Sequence, residues 1–227
     1  MKSYNDILSN PIVEAISSLI KGTLATLPYT GGIASIFNDW QNHVQFKAIQ
    51  DTLSKHLNQL KTLETRIDHS FCTSKEYGAI ILQTLAKAKD EIKEEKRTLF
   101  ATFLTSCCIP INSSCNDKRM YLDIIDRLEP IHICIMDVLD NKYSTFGKID
   151  NIQIDMADKG INDLSINHLE TYLDYLTSLG LVVKIDQSIY KIFFEKIGLK
   201  DGITSSFTHT IYYKTPLGYE LINFLIK

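Results

Sequence analysis

The sequence predicts a mainly α-helical protein. A long helical hairpin or bundle spans residues 1–115, and a winged-helix-like α+β module spans residues 116–227. Three observations carry this. Apolar residues step by threes and fours through most of residues 33–105, the stripe of an amphipathic helix. Pro110 to Asn116 holds a Pro, three Asn/Ser neighbours and few large side chains, the composition of a boundary. From Ser165 to Lys227 the pattern reads helix, strand, connection, strand, helix.

The first helix starts at Asn10, which can accept from a free backbone N–H, with Pro11 in the first turn, where no N–H is needed. Ile12, Ile16, Leu19 and Ile20 share one face, and Gly22 and the Pro28 to Gly32 turn end the element. A long helix is expected from Ile33 to Ser70, with Ile36, Trp40, Val44, Ile49, Leu53, Leu57, Leu60, Leu63 and Ile67 on its stripe and no Pro or Gly within it. At its full length it would exceed about 50 Å, so it must lie along another long element or stay partly exposed. Thr73-Ser74-Lys75-Glu76 matches a capping box and opens a third helix, running to Thr105 with Tyr77, Ile81, Leu85, Ala88, Ile92, Leu99 and Phe103 inward. The mixed charges from Lys89 to Arg97 read as a solvated face of that helix. The two long helices suggest an antiparallel hairpin.

Beyond the boundary, Asp117 to Asp140 is helical, with a break expected at Glu129 because Pro130 lacks an N–H and crowds the preceding turn. Tyr143 to Asp163 accommodates one short helix. Ser165 caps the next, whose buried face is Leu169, Tyr172, Leu173, Leu176 and Leu179, and Gly180 stops it in a left-handed conformation. Leu181 to Ile185 and Thr208 to Lys214 are strands, and Ile189 to Ile197 is ambiguous between strand and helix. Thr215-Pro216 starts a last helix with Leu217, Leu221, Phe224 and Leu225 inward.

Length and charge narrow the function. A chain of 227 residues with 44% apolar and 22% charged side chains can bury a sizeable core. Net charge is −3, and no segment is basic: residues 1–72 carry six basic and six acidic side chains, 73–140 nine and eleven, 141–227 nine and ten. That weighs against nucleic acid as the main partner. Five cysteines (Cys72, Cys107, Cys108, Cys115 and Cys134), an odd number without a secretory leader pattern, fit reduced thiols in a cytoplasm. No run reaches about 18 uninterrupted apolar residues. The nearest, Ile12 to Ile36, is interrupted by Glu14, Lys21, Pro28 and Gly31-Gly32 and reads as a core helix plus a turn, with insertion into a membrane as a disfavoured rival.

No constellation specifies a reaction, a cofactor or a metal. Cys107, Cys108, Cys115, His132 and Cys134 lie close in sequence but lack the close ligand pairs that zinc sites use, so free or buried thiols are expected. His43, His56 and His69 recur every thirteen residues, a rotation of about 220° on a helix. They diverge and read as surface or boundary histidines. No nucleophile signature appears, and Thr30-Gly31-Gly32 lacks the Gly-Lys-Ser/Thr of a P-loop.

The helix that would lie on DNA, Ile166 to Leu179, contains Glu170 and Asp174 and no Lys or Arg, although a groove-reading helix or its flanks normally supply cations. The expected partner is therefore another protein subunit or a second copy of this chain. Trp40 and Phe46 on the hairpin and Glu170 and Asp174 on the module are the candidate protein contacts. The alternative, a winged-helix DNA-binding regulator, has Lys184, Lys191 and Lys196 as its phosphate contacts. Leu173, Leu176, Leu179-Gly180-Leu181 and Tyr213-Lys214-Thr215-Pro216-Leu217-Gly218 with Phe224 resemble the winged-helix-like ends of bacterial regulators and of the abortive infection alpha family. Leu27-Pro28 through Gly32, the long helix, and Glu94-Glu95-Lys96-Arg97 before Phe100-Ala101 are similar in layout to bacterial helical proteins. The resemblance implies phage defence as a context and brings no catalytic residues; an ATPase or nuclease of a defence operon is a candidate partner subunit. A membrane-active effector of such a system is the third reading.

Overall fold

The computed structural model describes residues 43–62, 67–110, 114–139, 148–186 and 210–226. These are mainly helical, with one two-stranded sheet near the C-terminus. The chain forms two compact units that divide between Arg127 and Leu128. The division lies twelve residues beyond the 115/116 boundary read from sequence, because the helix that follows that boundary packs onto the first unit.

The described part of the first unit holds five helices: α1 (His43–Thr62), α2 (His69–Cys72), α3 (Lys75–Ala88), α4 (Glu94–Cys107) and α5 (Cys115–Arg127). The expected helix to Ser70 is not continuous, since Ile67 and Asp68 are not helical. Asp68 instead caps α2, its carboxylate accepting from the Phe71 N–H at 3.0 Å and the Ser70 hydroxyl at 2.7 Å. The expected third helix is also two helices. Residues 89–93 form a turn in which Glu91 accepts from the Lys93 N–H and Arg97 reaches back to the carbonyls of Glu91 and Ile92. The cap of α3 is Ser74, one residue later than the Thr73 the motif suggested, and it accepts from the Tyr77 N–H.

The antiparallel hairpin is replaced by a bundle in which α1 lies against α4. Asp51 and Lys55 meet Arg97 and Glu94; further along, His56 and Gln59 meet Thr105 and Thr102. The two helices therefore run in the same direction, with α3 packed against both. Leu60, Tyr77, Ile80, Ile81, Leu85, Phe100, Phe103, Leu104, Leu122 and Ile125 fill the core. Each large apolar side chain buried there contributes roughly 1.5–3 kcal/mol. Ile92, expected inward, is 85% exposed because it sits in the turn.

The charged run is not merely a solvated face. Lys96 is 3% exposed, and its ammonium donates to the carbonyls of Ile125 at 2.5 Å and Asp126 at 3.0 Å. It thereby satisfies the C-terminal end of α5, where unpaired carbonyls favour a cation.

The described part of the second unit comprises α6 (Pro130–Val138), α7 (Ile149–Asp158), α8 (Ile166–Ser178), β1 (Val182–Asp186), β2 (Thr210–Lys214) and α9 (Pro216–Ile226). The break before Pro130 is present, and Glu129 caps α6 while its own N–H donates to His132 Nδ1 at 2.8 Å. The short helix expected between 143 and 163 is α7. Ser165 caps α8, and Gly180 ends it at φ +71°. β1 and β2 pair antiparallel with Val183 opposite Tyr213 and Ile185 opposite Ile211. Ile211 also bridges to Lys148, so a short third segment precedes α7 at the sheet. Among the described residues the order is helix, bridge, helix, helix, strand, strand, helix, an α+β end of the winged-helix-like kind expected. Met136, Ile152, Met156, Leu169, Leu173, Leu176, Tyr212, Leu221 and Phe224 form its core. The first predicted helix, the Pro28 to Gly32 turn and the ambiguous Ile189 to Ile197 stretch lie outside the described residues.

Candidate functional site

In the second unit, α7 and α8 form the helix-turn-helix, joined through Gly160 at φ +83°. α8 buries Leu169, Leu173 and Leu176, which fixes the opposite side outward. Asn167, Glu170, Thr171, Asp174 and Ser178 are exposed there, with Ile166 and Tyr175 at the flanks. Tyr175 and Tyr172 pack on the His132 ring, each with centroids 5.1 Å apart, so the tyrosines are held by α6.

The electrostatics of this surface are negative. Residues 148–186 hold three lysines against seven carboxylates, net −4. Lys184 on β1 is committed to Asp174 at 2.8 Å, and that bond with the Asp174 carboxylate holds its pKa above the ordinary lysine value. Lys159 is likewise paired with Asp137. Of the residues read from sequence as contacts, the structure brings Asp174 and Lys184 together and leaves Glu170 exposed on the same helix. Trp40, Lys191 and Lys196 lie outside the described residues, as does the Phe46 side chain.

The first unit holds a feature that the sequence did not disclose. His56, read as a surface or boundary residue, is fully buried. Its Nδ1 lies 2.9 Å from Thr105 Oγ1 and its Nε2 2.8 Å from the Tyr77 hydroxyl. Thr105 donates its single proton to acceptors only, Gln59 Oε1 at 2.8 Å and the Ala101 carbonyl at 2.9 Å. The tautomer that serves every contact has Nδ1–H donating to Thr105 and Nε2 accepting from Tyr77. The Tyr77 oxygen in turn accepts from Cys108 Sγ at 3.0 Å. Gln59 closes the other end, donating to Thr102 at 3.1 Å.

Burial lowers the His56 pKa to about 3 and raises those of Tyr77 and Cys108 well above their ordinary values, so all three are neutral near pH 7. A signal existed: Thr52 and His56 stand in step with Leu60 beside the apolar stripe, and a wide stripe takes them inward.

Among the described residues no group of three or more His, Cys, Asp or Glu side chains could hold a metal, and no helix is long and apolar enough to cross a membrane. Cys107 and Cys108 are buried and Cys134 is partly exposed, all three outside any disulfide. No family model, curated protein or solved structure matches the chain.

Proposed function

We propose that the protein is a non-catalytic accessory or regulatory subunit that binds another protein through the helix-turn-helix face of its C-terminal unit. The observation that carries this is the outward side of α8, which presents Glu170 and Asp174 and no lysine or arginine, within a segment of net −4. Duplex DNA carries one negative charge per about 1.7 Å of axis, and a protein gains affinity by neutralising phosphates. A face of this sign is repelled by that polymer. It suits a partner with basic side chains, and Tyr175 and Ile166 at its flanks supply apolar anchors.

The phage-defence setting rests on the resemblance at Leu179-Gly180-Leu181 and Thr215-Pro216-Leu217-Gly218, and an ATPase or nuclease of a defence operon is a candidate partner subunit. Trp40 and Phe46 are proposed as a second contact on the N-terminal part.

The winged-helix order itself favours DNA as the second reading, with Lys184, Lys191 and Lys196 as phosphate contacts. Two measurements separate the readings. Anisotropy with a mixed-sequence duplex at low and physiological salt should show no salt-sensitive binding. Cross-linking and capture from the native host should retain a partner with the wild-type chain and lose it with Glu170→Lys/Asp174→Lys, at unchanged helical content. Salt-dependent duplex binding by the wild-type chain would overturn the proposal.

A further inference from the structure

Contacts along its length fix how α7 is turned. Ile152 and Met156, one turn apart on its inner side, are fully buried. Before its start the Lys148 backbone bridges to Ile211 of β2, and Gln153 Nε2 donates to the Leu164 carbonyl at 2.8 Å. Beyond its end Lys159 pairs with Asp137 of α6. Ile154 stands two residues from each buried neighbour, a rotation of about 200°. It is therefore held outward, 60% exposed. Asp150 and Asp158 lie one turn before and one turn after it, each about 6 Å away along the axis, and both are exposed. The outer stripe of α7 thus reads carboxylate, isoleucine, carboxylate.

Asp150 suits the first turn of the helix, but the other two side chains do nothing for the fold. An outward helix position favours a polar side chain, and Ile154 is not one. Asp158 sits in the last turn, where free carbonyls disfavour a carboxylate, and that turn holds no basic residue. Among the described residues neither Asp150 nor Asp158 pairs with a cation.

Charge selects the occupant. A second copy would set carboxylates against carboxylates, and duplex DNA or an anionic lipid surface is repelled in the same way. A helix of another protein with an aliphatic side chain, and Arg or Lys one turn to either side of it, matches the stripe in sign and spacing.

We propose that Asp150, Ile154 and Asp158 dock a basic amphipathic helix of the partner, Ile154 packing on its aliphatic side chain while the two carboxylates take its cations. This rests on the protein-binding reading of the helix-turn-helix face and extends that face from α8 to α7.

The test titrates the intact chain with a blocked, alanine-based helical peptide, in which one leucine has an arginine four residues to either side, and follows amide NMR shifts at low salt. Shifts centred on residues 150–158 are expected, with binding weakened about fivefold by Ile154→Ala and about tenfold by Asp150→Asn/Asp158→Asn. All three side chains are exposed, so both variants should keep the wild-type helical content. A peptide with alanine in place of the leucine should bind more weakly than the parent. Equal binding by the two peptides, no shifts at all, shifts confined to α8, or concentration-dependent shifts at Ile154 without peptide would each overturn the proposal. Shifts confined to α8 would leave the α8 reading standing. Shifts on α7 that survive Glu170→Lys/Asp174→Lys would support the α7 site even where α8 binds nothing.

Discussion

Acid should destabilise this protein through His56 before its carboxylates titrate. The imidazole is wholly buried between Tyr77 and Thr105, and its pKa falls from 6.5 to about 3 on folding because burial penalises the charged form. The direction follows from proton counting. Between those two values the unfolded chain binds a proton at this residue and the folded chain does not, so stability falls as pH falls through that window. Full stability is present above pH 6.5. At about 1.4 kcal/mol per pH unit, the loss reaches roughly 2 kcal/mol at about pH 5 and roughly 3 kcal/mol at about pH 4. Against a typical total of about 5–15 kcal/mol this is a large share.

Asp51 contributes lower on the scale. Burial would raise its carboxyl, but Lys55 and Arg97 more than offset this and hold it below its ordinary value of 3.8, so its share is lost only as pH falls through that acidic range. The assay is urea unfolding followed by the helical circular-dichroism signal over a pH series, for wild type and His56→Gln. Glutamine keeps hydrogen-bonding capacity and does not titrate, so the slope with pH is the readout and not the level. The wild-type slope between about pH 4 and about pH 6 should exceed the variant's by about one proton, or about 1.4 kcal/mol per pH unit. Parallel curves would refute the burial argument.

Other substitutions probe single contacts. Lys96→Met should cost about 2 kcal/mol in urea unfolding, because the α5 carbonyls of Ile125 and Asp126 lose a charged donor inside the protein. Gly180→Ala should cost about 1 kcal/mol, since its φ of +71° strains any L side chain while nothing lies within 4 Å of the added carbon. Gly218→Ala should cost more, because its Cβ would collide with the Leu181 carbonyl oxygen, a backbone atom with no rotamer to move. Lys184→Ala should change the thermal midpoint little, as its pair with Asp174 is exposed and worth less than about 1 kcal/mol.

Local signals were readable wherever a residue's own backbone chemistry decides the outcome. Ser165, Gly180, Pro130 and Thr215-Pro216 each mark a helix end that the structure has. The second strand followed from alternation over Thr208 to Lys214, and Leu181 to Ile185 was a candidate for the first. The turn at 89–93 was not readable: Lys, Asp, Glu and Ile do not by themselves stop a helix, and Arg97 reaching back to Glu91 and Ile92 shapes the turn. At the candidate interface, the absence of cations on α8 was legible from residue identity. The commitment of Lys184 to Asp174 was not, because it depends on how β1 lies against α8.

A helical chain ending in a winged-helix-like order was legible in the residues alone, since periodicity and caps act over a few neighbouring positions. It took packing between distant elements to set α1 alongside α4, to bring Lys96 to the end of α5, and to join Cys108, Tyr77, His56 and Thr105 in one buried line. Those encounters join residues 21 to 49 positions apart. Whether a polar side chain is solvated or buried depends on which helix packs over it, and packing is a property of the whole bundle.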